Sequence, residues 1–356
     1  MAHVEKNCIT IFMTQNCNLN CKYCYCGEKP KDNTEINMDF VKIGIKDFFE
    51  ANGQIHLRFF GNGEPTLEFE KMCEITNYCR DLSSHVTIEL QTNGYFDNRI
   101  RDWVADNVDI IWISYDGLTD VNDYYRSTVK NTGVSDVVEK NIRFLAKRID
   151  KLGIRTTIGQ RNLYKQKEII DKMENLYVKY IYSDLLFEPL GEDKLKEEII
   201  DPTIYAKEYL AAFGYAETKH IFYGSFFTIN FDKDVVYSCR ACIPAPHLTP
   251  YGYVSACDMA CSEEGCDELI YGIYDEKNRI IIYDENRIKN IRNRTVDNID
   301  ECKDCEMKYH CAGGCLGESL NEKGSIYKIK NQNCEAIKFL GRKLDLKNYC
   351  IPILHP

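Results

Sequence analysis

No stretch of this chain is apolar for long enough to span a bilayer, and Met1 to Lys6 carries no signal-peptide pattern. Both absences predict a cytoplasmic protein with no membrane partner. An excess of positive charge is also missing, since 45 Lys and Arg stand against 55 Asp and Glu, for a formal net charge of -10. Proteins that grip nucleic-acid backbones neutralise phosphates with clustered Lys and Arg, so that class is excluded. Compositional bias is lacking too. With 44% hydrophobic and 28% charged residues, neither disorder nor a fibre is indicated. What is abundant is cysteine, 18 in 356 residues. Without a secretory signal these thiols are expected to stay reduced, which points to metal or catalytic use rather than disulfides. The length is enough for one large core or two smaller ones.

Cys17-Asn18-Leu19-Asn20-Cys21-Lys22-Tyr23-Cys24 concentrates three thiols in the spacing C-x3-C-x2-C. Short spacers let neighbouring thiolates converge at little loop-closure cost, on three corners of an iron-sulfur cube with one iron left open. A structural zinc site is the alternative, but zinc prefers four ligands, commonly as paired hooks.

Hydrophobic patterning predicts strands at Ile9 to Thr14, Ile55 to Phe60, Val86 to Gln91, Ile110 to Tyr115, Ile154 to Gly159 and Leu185 to Pro189. Helices are predicted at Met38 to Glu50, Leu67 to Leu82, Arg99 to Asp106, Val134 to Leu152, Lys165 to Val178 and Tyr205 to Phe213. About six alternations describe a parallel α/β sheet, an open, partial (β/α)6 barrel of the TIM type. Phe226, Phe227, Ile229 and Phe231 partly alternate, as in a strand at the mouth of a site.

Polar, glycine-rich pieces follow the strands at the rim where parallel sheets carry their working loops. The second strand is followed by Gly61-Asn62-Gly63-Glu64-Pro65, where glycines permit close backbone approach and Glu64 is a candidate partner for an ammonium. Gln91-Thr92-Asn93-Gly94 follows the third, Ser114-Tyr115-Asp116-Gly117 with downstream Asp123 to Arg126 the fourth, and Glu188-Pro189-Leu190 the sixth. Taken singly, each is equally readable as a turn or a surface salt bridge. Their register after successive strands is what sets them apart.

A second cysteine field begins at Cys239. It contains Cys242-x9-Gly252-x4-Cys257, then Cys302-x2-Cys305-x5-Cys311-x3-Cys315, then Cys334. Cys302 to Cys315 alone would also suit a zinc ribbon.

The N-terminal triplet, with Tyr23 before its last cysteine, resembles the signature of the radical SAM superfamily. Gly61 to Pro65 resembles its GGEP motif, with Asn62 in place of the first of two adjacent glycines. Thr92-Asn93-Gly94 and the Ser114 to Arg126 segment are similar to its cofactor-side motifs. The distal field resembles the SPASM pattern at every cysteine. These resemblances imply S-adenosylmethionine held by Tyr23, Gly61, Gly63, Glu64, Pro65, Thr92, Asn93, Ser114 and Arg126, and three 4Fe-4S clusters. Cys17, Cys21 and Cys24 would hold the first. Cys242, Cys257 and Cys315, with Cys239 as fourth ligand, would hold one auxiliary cluster, and Cys302, Cys305, Cys311 and Cys334 the other. Asp258 matches the position of a base in sulfatase-maturating relatives; its alternative is a backbone-bonding role beside the cluster.

The implied division is a radical SAM domain over residues 1-215, a linker over 216-238 and an auxiliary-cluster domain over 239-350. The implied function is a radical SAM peptide maturase that cleaves S-adenosylmethionine to a 5'-deoxyadenosyl radical. It would abstract hydrogen from a ribosomal peptide residue, leading to a C-C or C-S crosslink or to epimerisation. Formylglycine formation on a sulfatase is the alternative, and a non-catalytic iron-sulfur redox protein the alternative of another class. Expected partners are a peptide or protein substrate and a reductant such as flavodoxin or ferredoxin. The triplet lies so near the start that no leader-binding domain is expected before it.

Overall fold

The computed structural model describes residues 8-24, 34-186, 195-262 and 266-351. The expected rim segment Glu188 to Leu190 lies outside them.

The chain alternates β1 (Ile9–Phe12), α1 (Met38–Asn52), β2 (Ile55–Phe60), α2 (Phe69–Leu82), β3 (Val86–Thr92), α3 (Asn98–Asn107) and β4 (Ile110–Ser114). Then follow α4 (Thr119–Tyr125), α5 (Ser135–Leu145), β5 (Lys151–Ile158), α6 (Gln166–Asn175), β6 (Tyr180–Leu185), α7 (Pro202–Thr218) and β7 (Phe222–Gly224). The seven strands pair in parallel in chain order. Beyond β1 the sheet continues through β8 (His247–Leu248), β9 (Tyr253–Ser255), β10 (Ile270–Asp275) and β11 (Ile280–Tyr283). β8 runs parallel to β1, and the last three strands are antiparallel. Short helices α8 (Glu285–Arg292), α9 (Lys308–Cys311), α10 (Leu316–Lys323) and α11 (Cys334–Lys343) complete the distal part.

Strand side chains alternate between faces, and here the alternation separates core from site. Ile9, Ile11, Leu57, Phe59, Ile88, Leu90, Ile111, Ile113 and Ile154 join the main apolar core. The intervening positions, among them Arg58, Gln91, Ser114, Arg155 and Asp184, line a cavity on the other face. Local signals agree with the helix ends: Asn37 accepts from the Asp39 and Phe40 amides at the start of α1, and left-handed Gly53 ends it. Gly252, also left-handed, turns β8 into β9.

Two expectations are corrected, the end of one helix and the strand at Phe226. The helix predicted over Val134 to Leu152 stops at Leu145, because Lys151-Leu152-Gly153 already belongs to β5, where an added Cβ at Gly153 would stand 2.2 Å from the Trp112 ring. β6 spans Tyr180–Leu185, an aromatic and polar stretch that pairs with β5; residues 187-189 of the expected strand Leu185 to Pro189 lie outside the described residues. Phe226–Thr228 is a 3-10 turn capped by Ser225, not a strand. The segment 216-238 contributes β7 to the sheet, and α4 had no apolar periodicity to announce it.

Candidate active site

The cysteine loop leaves β1 and is tied to three neighbouring rim loops. Glu64 N-H donates to the Asn16 carbonyl at 2.8 Å, joining it to the loop after β2. Asn18 bridges to the loop after β3, donating to the Tyr95 carbonyl at 2.9 Å and accepting from Asn93 Nδ2 at 2.8 Å. Asn20 and Lys22 amides donate to the Ser127 and Tyr125 carbonyls, beside α4. Gly63 permits the first of these ties: a Cβ there would lie 2.3 Å from the Asn16 carbonyl oxygen and 2.5 Å from that of Thr14. Any other residue would push the two backbones apart.

Glu64 is buried, and its carboxylate is engaged within the protein. Oε1 accepts from Thr92 Oγ1 and Thr66 Oγ1, each at 2.7 Å, and from the Thr66 amide, while Oε2 accepts from the Asn93 amide at 2.8 Å. Burial raises its pKa above the ordinary carboxylate value even against these bonds. Glu64, the expected ammonium partner, thus ties rim loops together and also lines the cavity. Pro65 starts the following 3-10 turn and is buried away from the cavity wall. Asn141 of α5 donates to the Gly94 and Phe96 carbonyls and fixes the Thr92-Asn93-Gly94 turn.

Tyr23 and Arg126 meet through Asp116, a residue present in the Ser114 motif but not singled out in the sequence. Asp116 is fully buried; its Oδ2 accepts from Tyr23 Oη at 2.5 Å and Arg126 Nε at 3.1 Å, and its Oδ1 from the Thr157 amide at 3.0 Å. The Arg126 guanidinium also stands 5.0 Å from the Tyr23 ring centroid. Ser114, at the end of β4, faces the same cavity. Asp123 instead accepts from the Val134 and Ser135 amides at the start of α5, a structural duty outside the cavity wall.

Opposite the triplet stands Asp258, with its side chain about one-third exposed. Arg58 Nη1 donates to both of its oxygens, at 2.8 and 3.1 Å, and Nη2 to Oδ2 at 3.2 Å. His247 Nε2 lies 2.8 Å from Oδ1 and Arg240 3.7 Å from Oδ2. Burial would raise the pKa of Asp258, but Arg58, the His247 hydrogen bond and Arg240 outweigh it and hold the carboxyl well below its usual range. Sequence reasoning missed His247 and Arg58, whose Nε also lies 3.5 Å from Glu89 Oε1. The signal was a charge inside the apolar strand Ile-His-Leu-Arg-Phe-Phe, which only a partnered site tolerates.

A single cavity of about 510 Å³ reaches from Cys17, Cys21 and Cys24 to Asp258 and on to Cys239, Cys257 and Cys315. Among the described residues no disulfide joins any cysteine, and no three His, Cys, Asp or Glu side chains converge enough to share one metal ion. The thiols do gather in three electrostatically linked sets: Cys21 with Cys17 and Cys24; Cys239 with Cys242, Cys257 and Cys315; Cys302 and Cys311 with Cys334, which is also linked to Cys305. Burial is the first cause pushing Cys21, Cys311 and Cys315 up to about 12, so a bound cation is needed to keep them as thiolates. All-thiol donor sets of three and four, spread more widely than around one ion, fit polynuclear iron-sulfur groups.

Residues 11-182 match the sequence profile described as the Radical SAM superfamily. An uncharacterised protein of Methanocaldococcus jannaschii is 33% identical over 178 residues, covering 49% of this chain and 60% of that protein. A cysteine-type anaerobic sulfatase-maturating enzyme of Clostridium novyi is 23% identical, covering 93% of this chain and 92% of its own. The radical SAM cyclopropyl synthase TigE of Paramaledivibacter caminithermalis is 24% identical, with 94% and 73% covered. Among solved structures, anSMEcpe with bound AdoMet superposes with a TM-score of 0.77 at 19% identity, covering 97% of this chain and 96% of that one. Streptococcus suis SuiB bound to its precursor peptide SuiA gives 0.66 at 16%, with 92% and 75% covered.

Proposed function

We propose, from the premise that residues 11-182 of this chain belong to the radical SAM superfamily, that the protein modifies a residue of a peptide or protein by hydrogen abstraction. The leading reaction is a C-C or C-S crosslink in a ribosomal peptide. The observation that carries this reading is the single cavity with the triplet at one end and Asp258 beside a second thiol set at the other.

Cys17, Cys21 and Cys24 would hold the first cluster, leaving one iron for S-adenosylmethionine. Bound together, cluster and S-adenosylmethionine supply reductive one-electron cleavage and the means to abstract hydrogen. The chain's own part is orientation. Gly61 and Gly63 would let the backbone approach the cofactor, Glu64, Thr92 and Asn93 lock the rim, and Ser114, Tyr23 and Arg126 line the same cavity and would help hold it. Cys239, Cys242, Cys257 and Cys315, and Cys302, Cys305, Cys311 and Cys334, would hold two auxiliary clusters. Arg58 and His247 aim Asp258 into the cavity, where it serves as proton acceptor for the substrate. The division at 1-215, 216-238 and 239-350, a partial barrel followed by a SPASM domain, belongs to the same proposal. So do the flavodoxin or ferredoxin reductant and the cytoplasmic location; among the described residues no helix is long and apolar enough to cross a membrane.

Formylglycine formation is the second reading, favoured by the nearly full-length match to the Clostridium novyi enzyme. Mass spectrometry of a coexpressed candidate peptide decides between them. A crosslink removes two hydrogens and creates no aldehyde, epimerisation leaves the mass unchanged, and formylglycine yields an aldehyde that a hydrazide probe captures. Aldehyde without crosslink overturns the leading reading.

A further inference from the structure

Arg294, two residues past α8, is fully buried, and the interactions found among the described residues include no carboxylate partner for it. Nε donates to the Ile326 carbonyl at 2.9 Å, Nη1 to Ser238 Oγ at 3.0 Å and the Ala312 carbonyl at 3.3 Å, and Nη2 to the Gly313 carbonyl at 2.8 Å. All four acceptors are neutral. The remaining contact is Cys242 Sγ, 3.7 Å from Nη1. An interior cation without a compensating anion is costly, and a guanidinium does not escape by losing its proton. The titratable groups on which its charge acts are Cys242, Cys302 and Cys315, from both distal thiol sets, and the Tyr327 phenol.

Backbone geometry places the guanidinium against the turn that links the two sets. Ala312, Gly313 and Gly314 all have positive φ, at 49°, 79° and 66°. Three such residues in succession reverse the chain between Cys311, assigned to one set, and Cys315, assigned to the other. The turn offers the carbonyls of Ala312 and Gly313 to Arg294, and a Cβ on Gly313 would meet Ile299 Cδ1 at 2.4 Å.

We infer that Arg294 is the fixed countercharge of the two distal iron-sulfur sites, holding the turn that divides them and raising the reduction potential of the site containing Cys242. The inference rests on the auxiliary-cluster reading above. Four thiolates make such a site anionic, and each added electron makes it more so; a cation donating an N-H toward a ligand sulfur therefore favours the reduced form.

The test uses the full-length chain with Cys17, Cys21 and Cys24 changed to Ala, so that only distal clusters remain, and compares Arg294→Gln and Arg294→Lys in that background. Iron content is measured first, then midpoint potentials by EPR-monitored titration. The expected result is about eight irons, a potential near the parent's for Arg294→Lys, and for Arg294→Gln a fall of about tenfold in reduced-to-oxidised ratio, ~59 mV for one electron. Full iron with equal potentials in parent, Gln and Lys proteins overturns the role of the charge, as does an equal fall in both variants. If the Gln protein fails to hold iron, a Lys protein with full iron and parental potential supports the inference, and a Lys protein that also loses iron overturns it. A parent chain without iron overturns the auxiliary-cluster reading itself, and the inference with it.

Discussion

At the scale of single residues, the motif cysteines were legible in the sequence because their chemistry and spacing are local, whereas the groups that aim them were not. Asp116 lay in plain view beside Ser114, but only the fold shows Tyr23 and Arg126 converging on it. Arg58 and His247 reach Asp258 from β2 and β8, which are far apart in sequence. Asp258→Ala is expected to lower modified product by about 10²-fold or more while S-adenosylmethionine cleavage continues, the size usual for loss of a general base. Quantifying deoxyadenosine and product in one reaction checks this; loss of both would assign Asp258 to cofactor cleavage. Gly63→Ala puts a methyl group 2.3 Å from a carbonyl oxygen of the cysteine loop. About four irons and S-adenosylmethionine binding should be lost while the distal clusters stay loaded, as read by iron analysis and calorimetry.

At the scale of elements, β1 to β4 were legible because apolar, β-branched runs bounded by turn residues leave few alternatives. Errors arose where two periods overlap. The run ending in Leu152 continued the pattern of α5, yet Gly153 belongs to a strand because only hydrogen fits beneath Trp112. The 3-10 turn at Phe226–Thr228 is decided by the Ser225 cap and by Asp184, which accepts from the Phe226 amide at 2.6 Å, neither of them visible to periodicity. Gly153→Ala should destabilise by about 1–3 kcal/mol, the range for overpacking a filled core, with the thermal unfolding midpoint lowered. An unchanged midpoint would mean that β4 and β5 are looser than this register implies.

At the scale of the whole molecule, the distal cysteine segment does not stand apart from the sheet. β8 extends it beside β1 and β9 pairs with β8, so the triplet loop after β1 and the Asp258 turn after β9 belong to one sheet and face one cavity. This joining was not legible, because a two-residue strand carries no periodic signal. On the proposed assignment of three clusters to separate cysteine sets, replacing Cys17, Cys21 and Cys24 by Ala should reduce iron from about twelve to about eight per chain. The most direct measurement of the central claim is deoxyadenosine formation by the anaerobically reconstituted, reduced protein supplied with S-adenosylmethionine. The expected result is steady formation by the intact chain and none by the triple-Ala chain. A fully iron-loaded, reduced intact chain that forms none would contradict it.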